Sequence, residues 1–244
     1  MNMEPQDDTY NREDNVLPTR PTTLPELAET VLEALSREPL SENIVLGGGV
    51  ALKHYDDFRA TQDIDAWWRG FRDPATLERL LVVVRHAASK HGYQIEHRHF
   101  GVTDSLEFMT VEARRKIFSF QISIRDVPLE EPRLSAWPPI RIETFRDNIG
   151  SKMNALVNRG APRDLVDIYR VVNDGLIATA ACWVLWQQKN PDTSVEEARG
   201  KVLTHLTRLE LRRPLASLSS SEEQNAFQLR QWYRDAFLVS QKEI

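Results

Sequence analysis

The sequence predicts an α+β protein, with a strand-bearing segment over residues 23–140 followed by a helical segment over residues 141–244. Two observations carry this. Between residues 93 and 124 the chain alternates with period two: in "KIFSFQISI", Ile117, Ser119, Gln121 and Ser123 stand opposite Phe118, Phe120, Ile122 and Ile124. From residue 142 onward the pattern is helical, broken only at "RGAPRD", "NDG", "NPDTS" and "RRPLASLSSSEE".

Taken in order, residues 1–22 are polar, acidic and punctuated by proline, which predicts a disordered acidic tail. Thr22 or Thr23 then caps a helix, "LPELAETVLEALS", whose Leu27, Val31, Leu32 and Leu35 form an apolar stripe. A short apolar strand over residues 44–46 runs into Gly47, Gly48 and Gly49, and "VALKHY" starts another helix. "DIDAWW" reads as a strand. The helix in "DPATLERLLVVVRHAASKHG" is strongly punctuated, with Asp73 as N-cap, Pro74 at the first helical position and Gly92 as the stop. Strands follow in "YQIEHRHF", "SLEFMTV" and "KIFSFQISI". The proline-rich "VPLEEPRLSAWPPIRI" reads as a surface linker.

Composition narrows the class. Of 244 residues, 41% are hydrophobic and 27% charged, as in an ordinary globular protein with a real core. The formal charge of −5 resides in the first thirty residues, where Arg12 and Arg20 face seven acids; the remainder balances, so a local basic groove is compatible with it. No apolar run approaches the ~20 residues of a membrane span, and no signal pattern opens the chain, so a cytoplasmic location is expected. The single cysteine, Cys182, excludes an intramolecular disulfide and a cysteine-based zinc cluster, and among Ala and Trp it reads as core packing. The histidines lack the spacing of a zinc site.

"GGGVAL" is neither a dinucleotide fingerprint, since Leu52 fills the third glycine position, nor a P-loop. It is a glycine turn between a strand and a helix, where free amides favour an anion, although such a turn can also merely turn. Fourteen residues beyond Gly49 stands Asp63, with Asp65 two residues further on. A strand places both carboxylates on one face, ~7 Å apart at ~3.3 Å per residue. Such a pair repels unless a cation lies between, and Mg²⁺ commonly takes one or two carboxylates plus substrate phosphates. Arg59 and Thr61 precede at the same spacing and on a strand would share that face; Arg59 then binds phosphate or neutralises the acids. Further on, Lys152 and Arg159 lie seven apart on one helix, and after a turn at Gly160, Ala161 and Pro162 a second helix carries Asp164 and Asp167. The hairpin is either a solvated pair of helices or a source of a phosphate-binding lysine with Asp164 orienting it.

Together, "LGGGVALKHY", "FRATQDIDAW" and "GSKMNALVNRGAPRDLVDIY" resemble the AbiEii-type nucleotidyltransferases, toxin-like members of the DNA polymerase β-like superfamily. The shared pattern is a Gly-Gly turn, Arg-x-[Ser/Thr]-x-Asp-x-Asp, Lys-x-x-Ala-Leu-x-x-Arg and Arg-Asp-Leu-x-Asp, and it covers residues 44–172. The resemblance implies a mixed sheet flanked by helices, joined to a helical domain that completes the active-site cleft. It implies transfer of a nucleoside monophosphate from an NTP with Mg²⁺ or Mn²⁺, in the setting of a toxin–antitoxin or abortive-infection system. Asp63 and Asp65 would hold the metal, Gly48, Gly49, Arg59, Thr61 and Arg159 would contact the nucleotide, and Lys152 would steady developing charge.

One departure from the superfamily stands out. A third acid is usual on a later strand, and Gln121 occupies the matching position, unable to take a proton. Asp164, Asp167 or Glu107 would then serve, or the protein is a catalytically weakened nucleotide-binding or partner-binding module. The acceptor is expected to be RNA such as tRNA, or protein, with "EARRK" and "RHAASKHGYQIEHRH" as a basic path. A cognate antitoxin is the other expected partner.

Overall fold

The computed structural model describes residues 16–70, 72–125 and 128–239. The chain divides into two compact units, Leu17–Asn148 and the residues from Ile149 onward, the latter joined by Val16.

The first unit is built on a seven-stranded mixed sheet. Its order is β3-β4-β5-β2-β1-β7-β6, with β1 Ile44–Gly47, β2 Asp63–Trp68, β3 Tyr93–Phe100, β4 Thr103–Thr110, β5 Lys116–Ile124, β6 Arg133–Leu134 and β7 Arg141–Ile142. β2 runs antiparallel to β1 and parallel to β5. Ile44, Leu46, Ile64, Ala66, Trp68, Leu106, Phe118, Phe120 and Ile122 are buried with residues of helices α1 (Glu26–Ser36) and α3 (Pro74–Lys90) in one core. Period two therefore sends the alternate residues Asp63, Asp65, Ser119, Gln121, Ser105 and Glu107 to the opposite face. The carboxylate of Asp73 caps α3 by accepting the Thr76 amide at 3.0 Å, as its sequence punctuation predicts.

Two expectations need correction. The cap of α1 falls at Pro25, with no side-chain bond, because Thr22 and Thr23 are engaged elsewhere: their amides and hydroxyls donate to Asp57. The proline-rich stretch is not a surface linker. Trp137 and Ile140 enter the core, Pro138-Pro139 is cis, and β6 and β7 extend the sheet. Of the acidic tail expected over residues 1–22, the first fifteen lie outside the described residues; further along, Thr19 donates its amide to the His54 carbonyl at 2.7 Å.

Helix α4, Phe145–Asn158, crosses the unit boundary. The second unit continues through α5 Pro162–Asn173, α6 Thr179–Lys189, α7 Val195–Arg212 and α8 Ser220–Trp232, which ends in a π-helical turn, Tyr233–Phe237. Its core holds Leu165, Ile168, Val171, Trp186, Val202, Leu206, Tyr233 and Phe237, with Cys182 buried among them as expected. The Tyr233 hydroxyl donates to the Leu165 carbonyl at 2.8 Å and the Trp183 indole to the Phe237 carbonyl at 3.1 Å, so the buried polar tips of both aromatics are satisfied.

Candidate active site

Strand register brings the glycines and the acids together. Gly47 pairs with Asp65 across β1 and β2, and the turn continues into the short helix α2, Gly48–Lys53. Gly48 adopts φ +55, and a Cβ there would overlap the Asp65 carboxylate; a Cβ on Gly47 would overlap the Trp67 indole. Only glycine permits this approach of a turn to a carboxylate-bearing strand. A Cβ on Gly49 would lie 2.9 Å from the Thr61 hydroxyl and 3.7 Å from Arg59.

Arg59 and Thr61 reach this place by a route the sequence did not indicate. Strand β2 starts at Asp63, so both residues lie in the preceding loop. The buried Thr61 hydroxyl donates to Asp63 Oδ1 at 2.9 Å and orients that carboxylate. The loop is pinned by Lys53, whose buried ammonium donates to Thr23, to Asp57 and, at 2.6 Å, to the Arg59 carbonyl. Burial works to raise the Asp57 pKa, but hydrogen bonds from Lys53, Thr23 and Thr22 outweigh it and hold the carboxyl well below the usual range.

On the far side of β2, Gln121 of β5 is the register partner of Asp65, and Ser119 that of Asp63. Glu107 faces Ser119 from β4, two strands from Asp63, and its carboxylate lies 3.3 Å from Lys116 and 3.4 Å from Arg98. Among the described residues no three His, Cys, Asp or Glu gather in a metal-holding arrangement. Two carboxylates, an amide oxygen and a nearby hydroxyl nevertheless suit a hard divalent cation that keeps several waters and takes its other oxygens from phosphates.

In the helical unit, the Lys152 ammonium donates to Asp167 Oδ2 at 2.8 Å, both groups being buried. Arg159 clamps Asp164 with two bonds of 2.8 and 2.9 Å, and the Ala161 amide donates to the same carboxylate at 3.0 Å. Asp164 thus closes the α4–α5 turn, whose Gly160 has φ +52.

Sequence reasoning missed Glu143 and Asn148. The Glu143 carboxylate, fully buried, accepts the Trp67 indole N–H at 2.9 Å, the Asn148 amide at 2.7 Å and the Arg125 guanidinium. No local spacing signals this, because the partners come from distant segments. Lys53 and Asp57 were legible in principle as an i,i+4 pair.

The family profile described as "Nucleotidyl transferase AbiEii toxin, Type IV TA system" matches residues 30–236. The chain belongs to the AbiEii nucleotidyltransferase toxin family. AbiEii membership supports a nucleotidyltransferase and implies an NTP substrate and an antitoxin partner. Among solved structures, a candidate nucleotidyltransferase from H. pylori is similar at a TM-score of 0.50 and 17% identity, over 87% of this chain and 93% of the other. That likeness agrees with the mixed-sheet polymerase β-like fold expected. MenT4, a nucleotidyltransferase toxin from Mycobacterium tuberculosis H37Rv, is similar at a TM-score of 0.47 and 16% identity, over 88% of this chain and 83% of the other. No curated protein matches the chain. Among the described residues, no helix is long and apolar enough to cross a membrane.

Proposed function

We propose that this AbiEii protein transfers a nucleoside monophosphate from an NTP to an acceptor, RNA such as tRNA or a protein, in a reaction requiring Mg²⁺ or Mn²⁺ at Asp63 and Asp65. The observation that carries the proposal is the seating of Asp65 on Gly48, which makes the glycine turn and the carboxylate pair one site.

In this reading Gly48 and Gly49 offer backbone amides and room to the triphosphate. Helix α2 spans only six residues, so the amides rather than a long helix dipole do the binding. Thr61 holds Asp63 in orientation and, with Arg59, faces the phosphates. Asp63 and Asp65 would hold the divalent ion, which when bound would supply neutralisation of phosphate charge and polarisation of the phosphorus. The acceptor oxygen bonds to the α-phosphorus as the bridging bond to the β-phosphate breaks, and pyrophosphate leaves with the electron pair. Gln121 cannot take the acceptor's proton. Glu107 is engaged by Lys116 and Arg98, Asp164 by Arg159 and the Ala161 amide, and Asp167 by Lys152, so each acid raised as a base is held by a cation and the acceptor's proton is assigned to water.

The test incubates the protein with each α-labelled NTP, Mg²⁺ or Mn²⁺ and total RNA, beside Asp63→Asn and Asp65→Asn. Label enters RNA or protein with the wild type and falls at least about 100-fold in both variants. Transfer indifferent to both substitutions, or absent with every nucleotide, overturns the assignment.

A further inference from the structure

The geometry points to Asn148 as a positioning residue that sets the glycine turn for nucleotide binding. The inference rests on reading Gly48 and Gly49 as the nucleotide turn.

Asn148 is fully buried near the start of α4. Its Nδ2 donates twice, to the Gly48 carbonyl at 3.2 Å and to Glu143 Oε2 at 2.7 Å. The two acceptors fix which end of the amide is nitrogen, since the opposite orientation would set oxygen against oxygen. Its Oδ1 is buried without a hydrogen-bond partner.

Glu143 is the anchor behind it. Its amide donates to the Leu46 carbonyl at 2.9 Å, its carbonyl accepts the Tyr55 hydroxyl at 2.7 Å, and its carboxylate accepts the Trp67 indole. The last residues of β1, the segment after α2 and strand β2 are thereby all tied to one residue. Asn148 extends that frame by one bond to Gly48, the residue on which Asp65 rests. It is the side chain that connects the frame to the turn.

The orphaned Oδ1 offsets part of what the two donated bonds contribute to stability, since a buried acceptor without a donor is costly. In an apolar variant Glu143 Oε1 would still receive the Trp67 indole and Arg125, but Oε2 would lose the Asn148 amide. An apolar replacement therefore costs stability through Glu143 and, separately, releases the tether on the Gly48 carbonyl. The loss of nucleotide binding should exceed what an equal loss of stability produces elsewhere in the core.

The experiment uses the full chain and two readouts. Thermal unfolding is measured without ligand, and binding of the Mg²⁺ complexes of ATP, GTP, CTP and UTP is measured by calorimetry. Asn148→Leu is compared with the wild type, with Asn148→Ala as a smaller replacement should Leu prevent folding. Val84→Ala, in the core of α3, serves as a control for general destabilisation. The expected result is a Tm lowered no further than in Val84→Ala, with the Kd of the best-bound NTP raised about tenfold; the control lowers Tm and leaves Kd within about twofold. An unchanged Kd in the Asn148 variants overturns the inference, as does a Kd that simply follows Tm in variants and control alike. A wild type that binds none of the four NTPs removes the nucleotide-turn reading and this inference with it, whereas an unchanged Kd on a binding wild type removes only this one.

Discussion

Gly48 and Gly49 are adjacent, yet the fold asks different things of them. Gly48 has φ +55 and supports the Asp65 carboxylate, so Gly48→Ala meets both a left-handed backbone penalty and a displaced carboxylate. It should cost about 1–3 kcal/mol of stability and reduce nucleotide transfer about 100-fold or more. At Gly49 the added Cβ meets the Thr61 hydroxyl at 2.9 Å, in an ordinary backbone conformation. Thr61 must shift, so Gly49→Ala should reduce transfer by about tenfold and cost about 1 kcal/mol, without the backbone penalty of Gly48→Ala. Urea unfolding and initial transfer rates measured on both variants check the ordering; equal losses would show that the carboxylate contact is not what distinguishes them. These residues were legible because glycines and paired acids carry their meaning in local spacing. Arg59 and Thr61 were legible as neighbours of the site, though a strand was the wrong vehicle for them. Glu143 and Asn148 were not: the bond from Asn148 to Gly48 spans 100 residues of sequence.

Among the elements, the α4–α5 hairpin was read correctly from its Gly-Ala-Pro turn, while the use of its charges came only from the structure. Asp164 and Asp167 sit three apart on one helix but serve different cations, Arg159 at the turn and Lys152 one helix away. Arg159 is half exposed, which screens its pair, whereas Lys152 and Asp167 are both buried. Asp164→Asn should therefore lower stability by about 1–2 kcal/mol through the weakened clamp and turn amide. Lys152→Met, which takes the lysine from a buried carboxylate, should cost about 3–5 kcal/mol, and adding Asp167→Asn should recover part of that loss. Urea midpoints of the two single variants and the double variant measure it, and a double variant less stable than Lys152→Met would show that the pair is not coupled as described. The proline-rich stretch failed as a linker for a related reason. Proline composition marks the chain's turns, but Trp137, Ile140 and Ile142 commit it to the core, and two-residue strands leave no period to detect.

For the whole molecule, charge patterns seen in sequence are partly cancelled by folding. The basic segment at residues 112–116 finds Glu96 and Glu107 beside it, with Arg114 and Lys116 in ion pairs, so its field is weaker than the sequence alone suggests. The titration that should govern stability lies elsewhere, at His54. Its ring is buried behind α2, with Nδ1–H donating to the Val50 carbonyl at 2.8 Å and Nε2 accepting the Ala136 amide at 3.4 Å. Burial lowers its pKa from 6.5 to about 4, against smaller opposing effects of the Val50 carbonyl and Asp57. A group that resists protonation when folded stabilises the protein fully above its unfolded pKa. That contribution declines as pH falls from 6.5 to about 4 and is gone below it, a loss of about 3 kcal/mol. Asp57 and Asp104, whose folded pKa values are depressed, lose their contributions only below the ordinary carboxylate value of 3.8. The two windows therefore separate. Wild type and His54→Gln, whose amide can still donate to the Val50 carbonyl, should share the fall that begins below pH 4.5, where Glu96 and Glu222 also start to lose their contributions, and only the wild type should decline between pH 6.5 and 4.5. Urea midpoints at half-unit pH intervals decide it: parallel curves across the upper window would mean that the proton taken up on unfolding there does not go to His54.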